Sequence, residues 1–212
     1  MRKSLWLGCL VLGLSWTSAF AEDAPMTWSA PRAYQWVFEA GYNVGGDQIA
    51  SGVYGNTQTT WEVKTGRGYQ GGLGLQYAFN PDWAAQFTVS YTMDSTRGSN
   101  GDIAFERYPV SLQMFYKLND HLRVGGGWLQ SYGAQRTTTG VVAIYGSESF
   151  KSDPGAIVQV MYFFKPYHHF KQAGDEINAA LALRHVRQQY VGEKEQLVYR
   201  GDHTGLYLML YF

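Results

Sequence analysis

The sequence predicts an all-β fold, an eight-stranded antiparallel up-and-down transmembrane β-barrel. Three observations predict it. Apolar and polar residues alternate with a period of two along eight segments, as they do along a β-strand that has two different environments on its two faces. The connections between these segments alternate in length. No apolar run reaches the ~18 residues of a transmembrane helix, so a mature chain that enters a membrane must cross it as a barrel.

The N-terminal segment has the features of a secretory signal peptide. Basic Arg2 and Lys3 precede an apolar run over residues 5–14, and small residues at Ala19 and Ala21 precede an acidic residue. This arrangement predicts cleavage after Ala21, so that residues 1–21 are absent from the mature protein.

The rest of the chain divides into a short lead-in and one domain. Residues 22–33 contain Pro25 and Pro31 and lack periodicity, which indicates a periplasmic N-terminal lead-in. The periodic pattern then occupies residues 34–212. Cys9, the only cysteine, lies in the leader, so neither a disulfide nor a cysteine-ligated metal can hold the mature fold, and no cofactor is predicted.

The composition agrees with a membrane barrel. Aromatic residues make up 16% of the chain, and charged residues also make up 16%, against about 25% in a typical soluble domain. Without Arg2 and Lys3, 15 basic groups remain against 17 acidic groups. A net charge so close to zero gives no indication of nucleic-acid binding.

The strands are assigned from their apolar faces. The clearest hairpin joins residues 68–79 to residues 83–93 through the turn residues Asn80, Pro81 and Asp82. In strand six, over residues 155–165, both faces are apolar, and residues 158, 160, 162 and 164 are assigned outward. Pro109 is expected near the outer end of its strand, because proline cannot donate to a ladder. The last strand, residues 205–212, places Leu206, Leu208, Leu210 and Phe212 on one face.

The connections follow the topology of a barrel with both termini in the periplasm. Residues 45–66, 94–102, 134–153 and 191–202 are long and polar, whereas the connections between them are shorter. Long connections are extracellular loops in such a barrel, and short ones are periplasmic turns. A soluble Greek-key sandwich has no reason to sort its loops in this way.

The polar faces predict a network inside the barrel. An eight-stranded barrel is filled by its own side chains, so the inward positions are expected to satisfy one another. The charged members are Glu39, Arg107, Arg123 and Arg184. Because a buried carboxylate without a partner is costly, Glu39 is expected to pair with Arg184 or Arg123.

On these features the chain resembles the small eight-stranded outer-membrane barrel family, represented by the OmpA transmembrane domain, OmpX and the neisserial opacity proteins. The resemblance covers residues 34–212 and includes the terminal Phe212. It implies residence in a Gram-negative outer membrane, contact with outer-membrane lipid and lipopolysaccharide, and recognition by the barrel-assembly machinery. The alternating Leu208, Leu210 and Phe212 resemble the targeting signal that this machinery reads.

The family does not select one function. The expected function is non-enzymatic, with a structural or surface-interaction role through the extracellular loops, which include Tyr54, Asn56 and Trp61. One alternative is a small porin or channel.

The other alternative is a lipid A-modifying enzyme, for which His185 and the Asp202–His203 pair are the candidate residues. The chain lacks the His-x-Ser pair of the deacylases among these barrels. His168 and His169 are adjacent and therefore point apart on an extended backbone, which favours a solvated turn over a metal site.

Overall fold

The computed structural model describes residues 33–53, 60–98, 101–168 and 177–212. The predicted signal peptide and nearly all of the lead-in lie outside these residues. The described part consists almost entirely of antiparallel strands, and no helix in it is long and apolar enough to cross a bilayer. The strands are β1 (Tyr34–Gly45), β2 (Gln48–Val53), β3 (Thr60–Lys64), β4 (Gly68–Ala78), β5 (Trp83–Gly98), β6 (Gly101–Lys117), β7 (Leu122–Thr138), β8 (Glu148–Ser152), β9 (Gly155–Phe163), β10 (Asn178–Arg187), β11 (Gln189–Gly192), β12 (Val198–Arg200) and β13 (His203–Tyr211).

Eight of these strands form a closed ring. β1, β4, β5, β6, β7, β9, β10 and β13 each pair antiparallel with the next, and β13 returns to β1 with Glu39 opposite Met209. The predicted fold class is therefore confirmed. Closure leaves none of the eight strands with an unpaired edge along the barrel wall, which removes the usual hazard of an apolar edge strand.

Side chains alternate between the interior and the outer surface. Along β1 every second residue from Gln35 to Asn43 points inward, and the residues between them point outward. Strand β9 follows the outward assignment made from the sequence, since Val158, Val160 and Tyr162 are exposed. Its inward face carries Ile157, Met161 and Phe163, which fill the interior with apolar volume.

The two ends of the barrel differ. At the end that we call the turn end, tight connections such as the one at Asn80 join the strands; the Asn80 side chain accepts hydrogen bonds from the backbone N–H groups of Asp82 and Trp83, both at 2.9 Å. At the opposite end, the loop end, β5, β6 and β7 continue past the ring, and β8, β11 and β12 extend the same sheet.

The loop end is more regular than the sequence predicts. Residues 45–66 contain the hairpin β2–β3, and residues 94–102 are mostly strand rather than loop. Residues 134–153 contain the end of β7, a short 3-10 helix (Gly140–Tyr145) and β8. Polar, glycine-rich composition predicted irregular connections, but pairing with neighbouring strands satisfies the backbone groups of these segments.

Pro109 lies at the centre of β6, which corrects the expectation that it marks the outer end of the strand. The strand pairing shifts by one residue between Glu106 and Tyr108, so a bulge lies next to the proline. Bulges interrupt the ladder locally, and proline is tolerated inside a strand where the ladder is interrupted.

Candidate functional site

The interior of the barrel, which we call the lumen, contains a buried ion pair at its centre. Arg184 Nη2 lies 2.6 Å from Glu39 Oε2, and Arg184 Nη1 lies 3.2 Å from Glu39 Oε1. Ser90 and Gln70 donate further hydrogen bonds to Glu39 Oε1 at 2.6 and 2.8 Å. Every oxygen of the carboxylate thus has a donor, which is the condition for keeping such a charge inside a protein.

The other side of Arg184 is also engaged. Its Nε donates to Gln159 Oε1 at 2.6 Å, and its guanidinium carbon lies 4.2 Å from the centre of the Tyr207 ring. This ion pair connects β1 to β10, with β13 between them. Together with the Tyr207 ring on β13, it links three neighbouring strands on one side of the lumen.

Arg123 lies nearer the turn end and does not contact Glu39. It donates to the side-chain oxygens of Gln76 and Gln86 and to the Tyr211 hydroxyl, the Gln86 contact being 3.2 Å. Its guanidinium carbon lies 4.3 Å from the Phe115 ring centre and 4.7 Å from that of Tyr211. Neutral acceptors and aromatic faces thus surround this cation, without a carboxylate partner among the described residues.

The turn end of the lumen is filled by Tyr167. Its ring stacks on Phe163 with 4.0 Å between the ring centres, and its hydroxyl donates to Gln35 Oε1 at 2.8 Å. Tyr167 is in the connection that follows β9, yet it is 1% exposed. The ring therefore reaches into the lumen and closes it below Arg123.

Arg107 lies nearer the loop end and is also buried. Its guanidinium carbon is 5.9 Å from the ring centres of both Phe105 and Tyr190. The four charged residues predicted to share the lumen are thus placed in three separate groups. Glu39 and Arg184 form one, Arg123 a second and Arg107 a third.

The loop end is covered by a hydrophobic cluster, which we call the cap. The hairpin β2–β3 contributes Val63, and its apolar side chains pack against residues from the strand extensions. Aromatic rings pack edge to face inside the cap. The ring centre of Phe105 lies 5.5 Å from that of Phe150 and 5.7 Å from that of Tyr190. The buried members are Ile49, Ala50, Val63, Ile103, Phe105, Ala134, Phe150 and Tyr190.

Charged residues fasten the hairpin to the barrel. Arg67 Nε lies 3.0 Å from Asp94 Oδ2, which also accepts the Lys64 backbone N–H at 2.8 Å. Arg136 donates to the Ile49 carbonyl at 3.1 Å. Salt bridges also hold Glu62, whose pKa is lowered by a hydrogen bond from Lys64 and by the nearby charges of Lys64 and Arg67.

The structure places the two candidate histidines, His185 and His203, on opposite sides of the barrel wall. His185 is on the outer surface, where its Nδ1 lies 3.0 Å from Thr204 Oγ1. His203 points into the lumen and contacts the Gly201 carbonyl at 2.6 Å. Asp202 instead accepts the backbone N–H of Gln188 at 2.9 Å. His169 lies outside the described residues, among which no group of three or more histidine, cysteine, aspartate or glutamate side chains is placed to hold a metal.

The side chains on the outer surface indicate which environment surrounds the barrel. Aromatic pairs form two bands, one at the turn end with Trp83–Tyr116 and one at the loop end with Tyr42–Tyr69. Between the bands the surface is aliphatic and exposed, and its members include Leu73, Val89, Leu112, Val160, Leu181, Leu183, Leu206 and Leu208. Exposure of a continuous apolar belt of this kind to water would be unfavourable in free energy, whereas the belt matches the hydrocarbon core and interfaces of a bilayer.

The chain is an eight-stranded transmembrane β-barrel. It is similar to Ail, the attachment invasion locus protein of Yersinia pestis, solved in complex with the heparin analogue sucrose octasulfate, at 13% identity over 85% of this chain and 97% of that one, with a TM-score of 0.45. It is also similar to the outer membrane protein OprG from Pseudomonas aeruginosa, at 13% identity over 86% of this chain and 97% of that one, with a TM-score of 0.45. A third similar structure is the outer membrane protein AlkL in lipid bilayers, at 12% identity over 91% of this chain and 97% of that one, again with a TM-score of 0.45.

No family model matches the sequence, and no curated protein matches it either. The ring of eight antiparallel strands that the predicted resemblance implies is present in the described residues. The transmembrane character of this chain follows from its own strand ring and outward apolar belt.

Two parts of the lumen were not predicted from the sequence. Tyr167 lies in a connection next to Pro166, where no strand period indicates its direction. Five of the eight buried cap residues, Ile49, Ala50, Val63, Ala134 and Phe150, come from segments assigned to loops. For Ile103 and Phe105 alternation was a usable signal, because they continue the inward face of β6 beyond Arg107.

Proposed function

We propose that this chain is a non-enzymatic outer-membrane barrel that acts through its loop-end surface, with a lumen that does not conduct. The loop end then faces the extracellular side, and the turn end faces the periplasm. The observation that carries the proposal is the combination of a packed cap with large apolar side chains on its water-facing side.

The exposed side chains are on two segments of the loop end. Ile144 in the 3-10 helix is 84% exposed, and Val198 in β12 is 60% exposed. Strand β12 is held in place because it pairs with β11, and β11 pairs with β8. The 3-10 helix packs its Val142 side chain against the cap. Apolar groups that stand in water on a rigid support are typical of surfaces that contact another molecule.

The proposal is tested by replacing the exposed apolar side chains. Outer-membrane vesicles that carry the wild-type barrel are compared with vesicles that carry Ile144→Ser and Val198→Ser together, on arrays of polysaccharides and purified cell-surface proteins. Thr137→Ser, at an exposed polar position of the same end, is the matched control. We expect the double variant to lose at least tenfold in binding to the ligand that the wild type and the control retain. Equal binding by all three across the whole array contradicts the proposal.

The channel alternative is opposed by the contents of the lumen. The buried Glu39–Arg184 pair lies inside it between β1 and β10, and the Arg123 group with Tyr167 fills the turn end. Planar-bilayer recordings of the purified barrel are expected to be silent. A stable unitary conductance that disappears on boiling would support the channel instead.

The enzyme alternative is opposed by the placement of the histidines, since His185 and His203 point to opposite sides of the barrel wall. Mass spectra of lipid A from cells that express the barrel are expected to match those of cells without it. A new lipid A species that disappears in His185→Gln would establish the enzyme and contradict the non-enzymatic proposal.

A further inference from the structure

Arg107 differs from the other buried arginines of the barrel. Arg184 and Arg123 each donate several hydrogen bonds to side-chain oxygens. None of the three guanidinium nitrogens of Arg107 has a hydrogen-bond partner among the described residues, although the side chain is 1% exposed. A guanidinium has five N–H donors, and buried donors are nearly always satisfied.

The aromatic neighbours do not replace those partners. The guanidinium carbon of Arg107 is 5.9 Å from the ring centres of Phe105 and Tyr190, near the outer limit of a cation–π contact. Arg123 and Arg184, by comparison, lie 4.3 and 4.2 Å from their nearest ring centres. The contacts with these two rings are therefore weaker than those of the other two buried arginines of the lumen, and they leave the N–H groups of Arg107 without acceptors among the described residues.

The buried carboxylates of the described chain are engaged elsewhere. Glu39 is bound by Arg184, Asp94 by Arg67, and Glu148 by Arg136. The side-chain oxygen of Gln70 is engaged as well. Gln70, two strands away from Arg107 in the ring, already accepts at its side-chain oxygen from Asn43, Thr92 and Tyr207.

Arg107 and Arg123 are therefore both buried without a carboxylate partner among the described residues, but Arg123 donates to neutral acceptors, whereas Arg107 does not. The buried charged residues of the described chain comprise four arginines, at positions 107, 123, 136 and 184, and three acids, at positions 39, 94 and 148. An uncompensated ion is expensive in a low-dielectric interior, and arginine cannot lose its proton to avoid the cost. A compact anion that accepts N–H bonds satisfies both the donors and the charge.

We propose that Arg107 is the centre of a binding site for a small inorganic anion, enclosed in the lumen beneath the cap. The guanidinium fork supplies the donors, and the rings of Phe105 and Tyr190 shape the apolar side of the site. Chloride and tetrahedral oxyanions such as phosphate share the required chemistry. Because Arg107 is 1% exposed, the anion enters as the barrel folds.

The direct test uses the wild-type protein. The barrel is refolded from urea into detergent in sodium bromide and crystallised from the same salt, and anomalous scattering is measured at the bromine edge. We expect a bromide peak within about 3.5 Å of the Arg107 guanidinium nitrogens. Crystals that show only water there, with bromide peaks elsewhere on the surface, overturn the proposal.

A second test measures stability after refolding in different salts at equal ionic strength. The wild type is refolded in chloride, in phosphate and in gluconate, whose anion is too bulky for an enclosed site. We expect the thermal midpoint to be roughly 5 °C higher in chloride or phosphate than in gluconate. The stabilising salt identifies which of the two anions the site takes.

Two variants link that shift to Arg107. Arg107→Met is expected to unfold at the same temperature in all three salts, whereas Arg187→Met, which removes an exposed arginine, is expected to keep the wild-type difference. If Arg107→Met does not refold, Arg107→Lys takes its place and should show a smaller salt dependence. A salt dependence that is unchanged in the Arg107 variants overturns the proposal.

Discussion

Removal of one partner of the Glu39–Arg184 pair should destabilise the barrel far more than removal of both. In Arg184→Met, Glu39 Oε2 loses the donor at 2.6 Å, while Oε1 keeps Ser90 and Gln70. In Glu39→Leu, Arg184 keeps Gln159 and the Tyr207 ring. Each change leaves one whole buried charge without its partner, negative in the first variant and positive in the second.

The expected change in the free energy of unfolding follows from the charges and hydrogen bonds that each variant leaves without a partner. Loss of one member of a buried ion pair costs about 3–5 kcal/mol in the free energy of unfolding, and both single variants should fall in that range. The double variant Glu39→Leu with Arg184→Met removes both charges and leaves only the neutral donors and acceptors of Ser90, Gln70 and Gln159 without their partners. Its cost should be about 1–3 kcal/mol, so the two single changes should be strongly non-additive.

The measurement is urea unfolding of the refolded barrel in lipid vesicles, followed by tryptophan fluorescence and by the change in gel mobility on boiling. Arg187→Met serves as the control, because it removes an exposed arginine from the same strand, and it should change the free energy of unfolding by less than about 0.5 kcal/mol. Additive single and double variants, or single variants that each cost less than about 1 kcal/mol, would refute the reasoning.

Three further predictions concern the two ends of the barrel. Val63→Asp places a charge in the fully buried cap and should make the β2–β3 hairpin sensitive to limited proteolysis. The barrel itself should keep its heat-dependent gel mobility. A hairpin that stays resistant to the protease would contradict this role of the cap. Lys117 lies 2.7 Å from Asp120 and lowers the pKa of that exposed carboxyl. Any stabilisation from this pair is therefore present above the ordinary pKa of aspartate and is lost as the pH falls through the lowered value. NMR titration should show a higher pKa for Asp120 in Lys117→Gln, and an unchanged pKa would exclude the contact. The targeting role of Phe212 stays a prediction, and Phe212→Gln should reduce the folded band in the outer-membrane fraction, whereas unaltered assembly would count against it.

Much of the barrel wall could be predicted from the sequence because its two environments are so different. Lipid on one side and a polar lumen on the other impose a strict period of two, and Trp36, Phe38, Gln35 and Glu39 all follow it. Strand β9 was harder to assign, because Met161 and Phe163 are apolar and still face inward. There the outward face could be chosen only from its continuity with neighbouring strands.

The loop end was predicted less well, because its segments are stabilised by one another. The hairpin β2–β3 is polar and glycine-rich, and Val63 becomes a core residue only when Phe105 and Phe150 lie opposite it. No local sequence pattern predicts that these residues pack together. The separation of the lumen charges is of the same kind, since strand register decides which arginine reaches Glu39.

The sequence by itself determined the number of barrel strands, the direction of their side chains and the transmembrane character, because each depends on a repeating pattern within one segment. Only the tertiary structure decided that Glu39 binds Arg184, that Tyr167 closes the turn end and that Arg107 has no hydrogen-bond partner within the described part of the chain. These are relations between residues far apart in the chain. They depend on the stagger between strands, which alternation within a single strand does not encode.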